Sequence, residues 1–354
     1  MLYHLALCLQ PYFSAFHVIH YVSFRALVGL LTALFMSLAF GQMFIDYSKR
    51  AFTGVVRPFT PDTHKAKDQT PSMGGCFILC VVLTNILLWC DWTKPDMWLF
   101  VLVLSGFGFI GLVDDLCKLW YKKGLYPRQK FVLQLLIGVI VVVSWMYAKN
   151  PSTEICVPLF KGFNPELGYL FVPWIVFILV GTSNAVNLTD GLDGLAIGTL
   201  LSNFSVFSVV AYLAGHYSFA SYLHIPFTAT AEVAIVGGVL IGASLGFLWF
   251  NAHPAQIFMG DVGSLSLGAA LAMMAIASKQ ELLLAIAGGM FVVEAISVMI
   301  QYIARKYYKT KVLKMAPIHH HFELLGWKEP KITVRFNIIS IVLCLLALIT
   351  LKIR

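Results

Sequence analysis

Ten runs of apolar residues, each close to the length needed to cross a lipid bilayer, govern what this chain can fold into. They cover roughly residues 22–45, 74–90, 97–113, 131–148, 170–188, 195–214, 232–250, 262–278, 281–303 and 335–353. A transmembrane helix needs about 20 apolar residues. Inside hydrocarbon every backbone N–H and C=O must be paired within the protein, which leaves helices or closed barrels. The runs lack the strict polar–apolar alternation of an outer-membrane barrel. The predicted fold is an all-α integral membrane protein with about ten transmembrane helices, forming a single polytopic domain over residues 1–354. Composition agrees: 59% of the 354 residues are hydrophobic and 12% charged, against roughly 25% charged in a soluble domain. A soluble enzyme, a disordered chain and a coiled coil are excluded. Gly237, Gly238, Gly242, Ser244 and Gly246 are expected to let helices approach closely in lipid. Residues 1–21 lack a basic n-region and are expected to form a short interfacial helix rather than a cleaved leader. The seven cysteines show no metal-ligand spacing, so neither a disulfide nor a zinc site is assigned.

Basic residues set the expected orientation. Of the 25 Lys and Arg residues, 18 fall in the loops after the first, third and ninth runs, including Lys49, Arg50, Lys65, Lys67, Lys118, Lys122, Lys123, Lys130, Arg305, Lys314 and Arg335. The positive-inside rule places those loops in the cytoplasm and, with ten spans, both termini in the periplasm. The net charge of +8 then speaks to orientation and to anionic membrane lipid. Without a soluble basic domain, no nucleic-acid partner is expected.

The scarce polar residues gather on that same side. Asp114 and Asp115 are adjacent at the end of the third run. Asn187, Asp190 and Asp193 follow the fifth, and Asn251 and Asp261 follow the seventh. His319, His320 and His321 follow the ninth, and Lys67 follows the first. An acidic pair at a helix C-terminus opposes the helix dipole, so Asp114 and Asp115 read as functional more readily than as a solvated end. Hard oxygen ligands select Mg2+ or Mn2+, which bind through one or two carboxylates together with substrate phosphates. Asp261 just precedes a helix, where the backbone N–H groups of Gly263 and Ser264 are placed to receive an anion. Lys67 and the histidines supply positive charge for a diphosphate. Three consecutive histidines cannot share one face of a helix, which argues against a transition-metal triad. Lys118, Lys122, Lys123 and Lys130 read as lipid-headgroup and topology residues, although Lys130 lies where a span re-enters the membrane. Phe258 is placed either to stack a base or to fill the core. Glu294, inside the ninth run, is either a functional group or a buried partner of a Lys or Arg.

The segments Thr70-Pro-Ser-Met-Gly-Gly75, Val113-Asp-Asp115, Asn184-Ala-Val-Asn-Leu-Thr-Asp-Gly-Leu-Asp-Gly-Leu-Ala196, Phe258-Met-Gly-Asp-Val-Gly-Ser264 and Pro317-Ile-His-His-His-Phe-Glu323 together carry a resemblance. From about residue 25 onward the chain resembles the phospho-N-acetylmuramoyl-pentapeptide-transferase family, within the polyprenyl-phosphate N-acetylhexosamine 1-phosphate transferase superfamily. The aspartate motifs are superfamily-wide, and the histidine segment is specific to the peptidoglycan branch. Two departures stand out. Gln69 and Ser72 replace a Gly and a Thr of the usual pattern, and Ala252-His253 follow Asn251 where Ser or Thr is common.

The resemblance implies transfer of phospho-MurNAc-pentapeptide from UDP-MurNAc-pentapeptide to undecaprenyl phosphate, giving lipid I and UMP. It implies a multi-pass protein of the bacterial inner membrane, with its active site on the cytoplasmic face and a homodimeric assembly. Asp261 is then the Mg2+ ligand, with Mn2+ as the substitute. Lys67 and His319 to His321 face the diphosphate. Asp114, Asp115, Asn187 and Asp190 organise the reacting phosphates. Gly191, Leu192, Asp193, Asn251 and Phe258 line the uridine side, and Thr70, Ser72 and Lys130 complete the substrate-binding set. Direct attack by the lipid phosphate is expected over a phospho-aspartyl intermediate. A phosphate monoester has its second pKa near about 6, so no strong base is needed. The alternative within the superfamily is a UDP-GlcNAc transferase, against which the histidine segment argues. An ion-coupled transporter would place its carboxylates near the bilayer midplane, and a lipid-binding scaffold would survive loss of Asp261.

Overall fold

The computed structural model of the chain describes residues 1–51, 70–160 and 163–353. Among these residues the chain is helical almost throughout, with a single isolated β-bridge between Glu154 and Glu166. In chain order the helices are α1 (Leu2–Leu9), α2 (Val22–Ala51), α3 (Gly74–Trp89), α4 (Pro95–Tyr121), α5 (Pro127–Lys149), α6 (Phe171–Thr189), α7 (Leu195–Ala214), α8 (Tyr217–Leu223), α9 (Ala231–Asn251), α10 (Gly260–Ala277), α11 (Glu281–Ala287), α12 (Gly289–Ile303), α13 (Ile318–Leu324) and α14 (Glu329–Thr350).

Eight of these helices are long and apolar enough to cross a bilayer: α2, α4, α5, α6 with its preceding turn, α7, α9, α10 and α14. The expected ten differ from this in two places. Helix α3 has 16 residues, a length of about 24 Å at 1.5 Å per residue, short of the ~30 Å hydrocarbon core. The run expected as one span over 281–303 is broken. Its two parts, Glu281–Ala287 and Gly289–Tyr308, meet at 81°. Gly288 and Gly289 sit at the break, where adjacent small residues let a helix bend sharply. Counting the bent pair as one span gives nine.

Helix α10 is the centre of the bundle. It is buried along nearly its whole length and packs against α3, α4, α6, α7 and α9. Its Gly, Ala and Ser residues explain why: small side chains let several neighbours close in at once. The same rule joins α2 to α9. A Cβ on Gly238 would fall 2.4 Å from Ala26 O, and one on Gly242 would fall 2.0 Å from Leu30 O. The expectation for this glycine stripe holds. By contrast α2, α5 and α14 expose apolar faces, with Phe35, Ile140 and Leu345 about half uncovered or more. These are the surfaces that lipid covers.

This arrangement brings many helix ends to one end of the bundle. The N-termini of α3, α5, α7 and α10 meet the C-termini of α6 and α9 and the last turns of α4, and Gly74, Gly111, Gly194 and Asn251 make their contacts there.

Candidate active site

Gly260 opens α10 with φ +71°, a backbone shape that suits glycine. A Cβ at this position would also lie 2.7 Å from Asp115 Oδ2. The segment before it is held from the other side by the Thr70–Gly75 motif. Gly74 N–H donates to Phe258 O at 2.8 Å, Gly75 N–H to Met259 O at 2.7 Å, and Phe258 N–H to Pro71 O at 3.0 Å. Gly75 has no room for a side chain, since its Cβ would meet Gly263 N at 2.0 Å. The two motifs therefore form one braced unit that fixes where Asp261 sits.

Three buried carboxylates converge there. Single oxygens of Asp114, Asp115 and Asp261 lie within 4.8 Å of one another. Lys118 Nζ sits among them, 2.6 Å from Asp114 Oδ2, 3.0 Å from Asp115 Oδ1 and 3.1 Å from Asp261 Oδ2. Lys130 pairs with the same Asp261 oxygen. Asn187 donates to Asp261 Oδ1 at 3.1 Å and to Ser264 Oγ at 2.7 Å. The remaining oxygens are spent on backbone. Asp114 Oδ1 accepts Leu125 N–H at 2.7 Å, and Asp115 Oδ2 accepts Asp261 N–H at 2.9 Å and Val262 N–H at 3.3 Å. So the anion at the start of α10 is the protein's own Asp115. An external anion was expected at the neighbouring Gly263 and Ser264 amides.

Three carboxylates against two ammonium groups leave one net negative charge. An all-oxygen donor set at this spacing fits a hard divalent cation. Lys118 occupies the ground between the carboxylates as a cation would, which keeps the cluster from being uncompensated buried charge.

The other expected residues divide into three groups. Asn187 joins the cluster, while Asp190 ends α6 one turn later, with its N–H on Val186 O. Thr70 and Ser72 are half-buried in the bracing segment, where Ser72 O accepts from Ser48 Oγ at 3.3 Å. Phe258 is half-buried in the same segment. Lys67 lies outside the described residues.

The second group forms a clasp beside the site. Asp193 is buried. Its Oδ2 meets His253 Nδ1 at 3.0 Å and accepts Ala255 N–H at 3.2 Å. Its own N–H donates to Glu329 Oε1 at 2.7 Å, and its carbonyl accepts from Thr333 Oγ1 at 3.1 Å. Glu329 Oε2 lies 3.6 Å from His253 Nδ1. Asn251, also buried, accepts Gly194 N–H at 3.1 Å and donates to Ile257 O at 2.8 Å. Leu192 packs in a small apolar cluster with Leu195, Met290, Ile332 and Phe336. These residues shape the 190–194 turn from within.

The third group is the histidine run, whose members part company. His319 is wholly buried, with Nδ1 3.1 Å from Glu294 Oε2 and its ring against Gly191. His320 Nδ1 pairs with Glu323 Oε2 at 2.6 Å, and His321 Nδ1 accepts Lys314 N–H at 3.1 Å. They share no common ligand point, as the helix argument expected. Glu294 pairs with a histidine rather than with a Lys or Arg.

Sequence reasoning passed over Lys118 and His253. Lys118 carried a signal: it stands three and four residues after Asp115 and Asp114, on the same helix face. His253 was visible only as a departure from the family pattern.

A family model described as glycosyl transferase family 4 matches residues 97–279, the stretch holding Asp114, Asp115, Asn187, Asp193, Asn251 and Asp261. Over full length the chain is 46% identical to the phospho-N-acetylmuramoyl-pentapeptide-transferase of Citrifermentans bemidjiense, covering 100% of both chains. It is also 46% identical to the protein of the same name from Geobacter sp. (strain M21), again covering 100% of both.

Proposed function

Since this chain belongs to the phospho-N-acetylmuramoyl-pentapeptide-transferase family, we propose that the Asp114–Asp115–Asp261 cluster is where it carries out phosphoryl transfer. The protein is a membrane-embedded glycosyl-1-phosphate transferase. Its reaction moves phospho-MurNAc-pentapeptide from UDP-MurNAc-pentapeptide to undecaprenyl phosphate, forming lipid I and releasing UMP. The relatives' names favour this donor over UDP-GlcNAc. The observation that carries the site is the convergence of three carboxylates and two lysines at one end of the bundle.

The membrane is the bacterial plasma membrane, with the site on its cytoplasmic face. The basic loops support that orientation, and a soluble nucleotide donor requires it. The assembly is a homodimer, as the family resemblance implies.

Asp261 is the metal ligand, with Asp114 and Asp115 beside it, and the metal is Mg2+ or Mn2+. An ion held by these carboxylates would supply positive charge for the donor's diphosphate and the leaving UMP. Lys118 and Lys130 leave their carboxylate partners to bind phosphate oxygens. Asn187 keeps the Asp261 carboxylate oriented. Lys67 and the histidine segment add positive charge on the donor side, Asp190 at the start of the turn faces the reacting phosphates, and Gly191, Leu192 and Asp193 with Asn251 and Phe258 border the uridine.

A lipid phosphate oxygen attacks the phosphorus bonded to the sugar. A new P–O–P link forms as the bond to UMP breaks. At neutral pH much of the lipid phosphate is already a dianion, so positioning and charge neutralisation supply the catalysis. The chain needs no covalent aspartyl step. A single-turnover experiment with labelled donor and no lipid tests this. UMP release coupled to labelled protein would overturn direct attack, and no release without lipid is expected.

A further inference from the structure

Glu294 lies mid-way along α12 and is fully buried, as is His319 on α13. An ionisable side chain at that depth is costly unless something compensates it. Its partner is His319, whose Nδ1 stands 3.1 Å from Glu294 Oε2. That distance is within reach of an ion pair, and neither the two carboxylate oxygens nor the two ring nitrogens has a hydrogen-bond partner among the described residues. His319 Nε2 therefore has no partner among the described residues. It faces the turn after α6, where a Cβ on Gly191 would fall 2.3 Å from it. The ring of His320 lies alongside, with centroids 4.2 Å apart.

A pair present only for packing would have both ends closed, because a buried polar atom without a partner costs free energy. Here Nδ1 lies within ion-pair reach of the carboxylate, while Nε2 is packed against the Asp190–Gly191 turn with no protein partner among the described residues. A carboxylate on one imidazole nitrogen fixes which nitrogen carries the proton and how the ring is aimed. We propose that Glu294 is a positioning residue for the transfer reaction. It holds His319 by Nδ1 so that Nε2 is presented at the Asp190–Gly191 turn, to a phosphate oxygen of the bound donor. The role rests on the transferase reading above, since the turn borders the reacting phosphates only under that reading.

The test uses the full-length protein in detergent with UDP-MurNAc-pentapeptide and undecaprenyl phosphate. Glu294→Leu removes the carboxylate but keeps an apolar, membrane-compatible volume, and Glu294→Gln keeps an acceptor oxygen at similar reach. Glu294→Leu is expected to lower kcat by roughly ten- to a hundredfold, the usual cost of removing a carboxylate that orients a functional imidazole, with KM changed far less. Glu294→Gln is expected to recover most of that loss, and both variants should unfold close to the wild-type temperature. The 15N spectrum of His319, identified by its loss in His319→Ala, should show Nδ1 protonated in the wild type and a tautomer mixture in Glu294→Leu. Unchanged kcat in Glu294→Leu would overturn the proposal. So would a Gln variant no better than Leu, or a 15N spectrum indifferent to residue 294. If leucine prevents folding, Glu294→Ala takes its place with the same expectations. A wild-type protein that releases no UMP would instead overturn the transferase reading, while the spectrum would still report the Glu294–His319 contact.

Discussion

The carboxylate of Asp115 accepts the backbone N–H of Asp261 at 2.9 Å, so one member of the acidic cluster holds the helix that carries another. The first amides of a helix lack partners within it, and an aspartate there also complements the dipole. Asp115→Ala should lose this cap, at a cost of about 1 kcal/mol, together with turnover. Asp115→Asn keeps an acceptor oxygen and should retain the unfolding temperature while losing activity. Thermal unfolding beside a UMP-release assay separates the two effects. Equal destabilisation by both changes would show that the cap does not matter.

Asp261→Asn should leave the protein folded and cut turnover by roughly a hundredfold or more, the scale of losing a principal electrostatic group at the reacting centre. Chelation of the wild type should abolish UMP release, and added Mg2+ or Mn2+ should restore it. Turnover in the variant that still responds to Mg2+ as the wild type does would refute the metal assignment.

Under the metal assignment proposed above, Lys118 and the divalent cation would compete for the same three carboxylates. Lys118→Gln should therefore lower the Mg2+ concentration giving half-maximal rate, even though kcat falls because a phosphate-binding cation is gone. A magnesium titration of initial rates checks this. A higher Mg2+ requirement would mean that Lys118 supports the ion rather than holding its place.

Gly260→Ala forces a side chain into a left-handed backbone, a strain of about 1–3 kcal/mol, and against Asp115 Oδ2. Lower thermal stability and loss of turnover are expected together. An alanine variant matching the wild type in both would show that the start of α10 is more yielding than its geometry suggests.

His253 bridges Asp193 and Glu329, tying the 190–194 turn to the start of α14. His253→Ala should raise KM for the UDP donor by about tenfold at most, the worth of one charge-assisted hydrogen bond, with kcat less affected. Steady-state kinetics varying the donor provides the measurement. A fall in kcat at constant KM would move His253 from the binding side to the reacting phosphates.

The convergence of Asp114, Asp115 and Asp261 was legible because carboxylates are rare at membrane depth and an acidic pair at a helix C-terminus opposes the dipole. The helix content was legible for the same reason, as hydrocarbon permits so little else. What the pattern could not carry was direction. Asp193 and Asn251 sit in the right segments, but their polar atoms turn inward to His253, Glu329, Gly194 and Ile257. Lys118 looked like a headgroup residue because a charge count records which loop a lysine occupies, and its side chain folds back onto its own helix. The break at Gly288 was hidden inside a run that stays apolar on average, where the Gly288–Gly289 pair suits close helix packing as readily as a bend.

The burial of α10 has a further consequence. Bilayers differ in thickness by several ångströms, and outer helices answer by tilting. Here α2, α5 and α14 meet the lipid, whereas Asp261 rides on a close-packed post that touches almost none of it. Close-packed interiors deform little. The spacing of the three carboxylates should thus be indifferent to acyl-chain length, and the enzyme's response to membrane composition should arise in how the lipid substrate arrives rather than in the chemistry that follows.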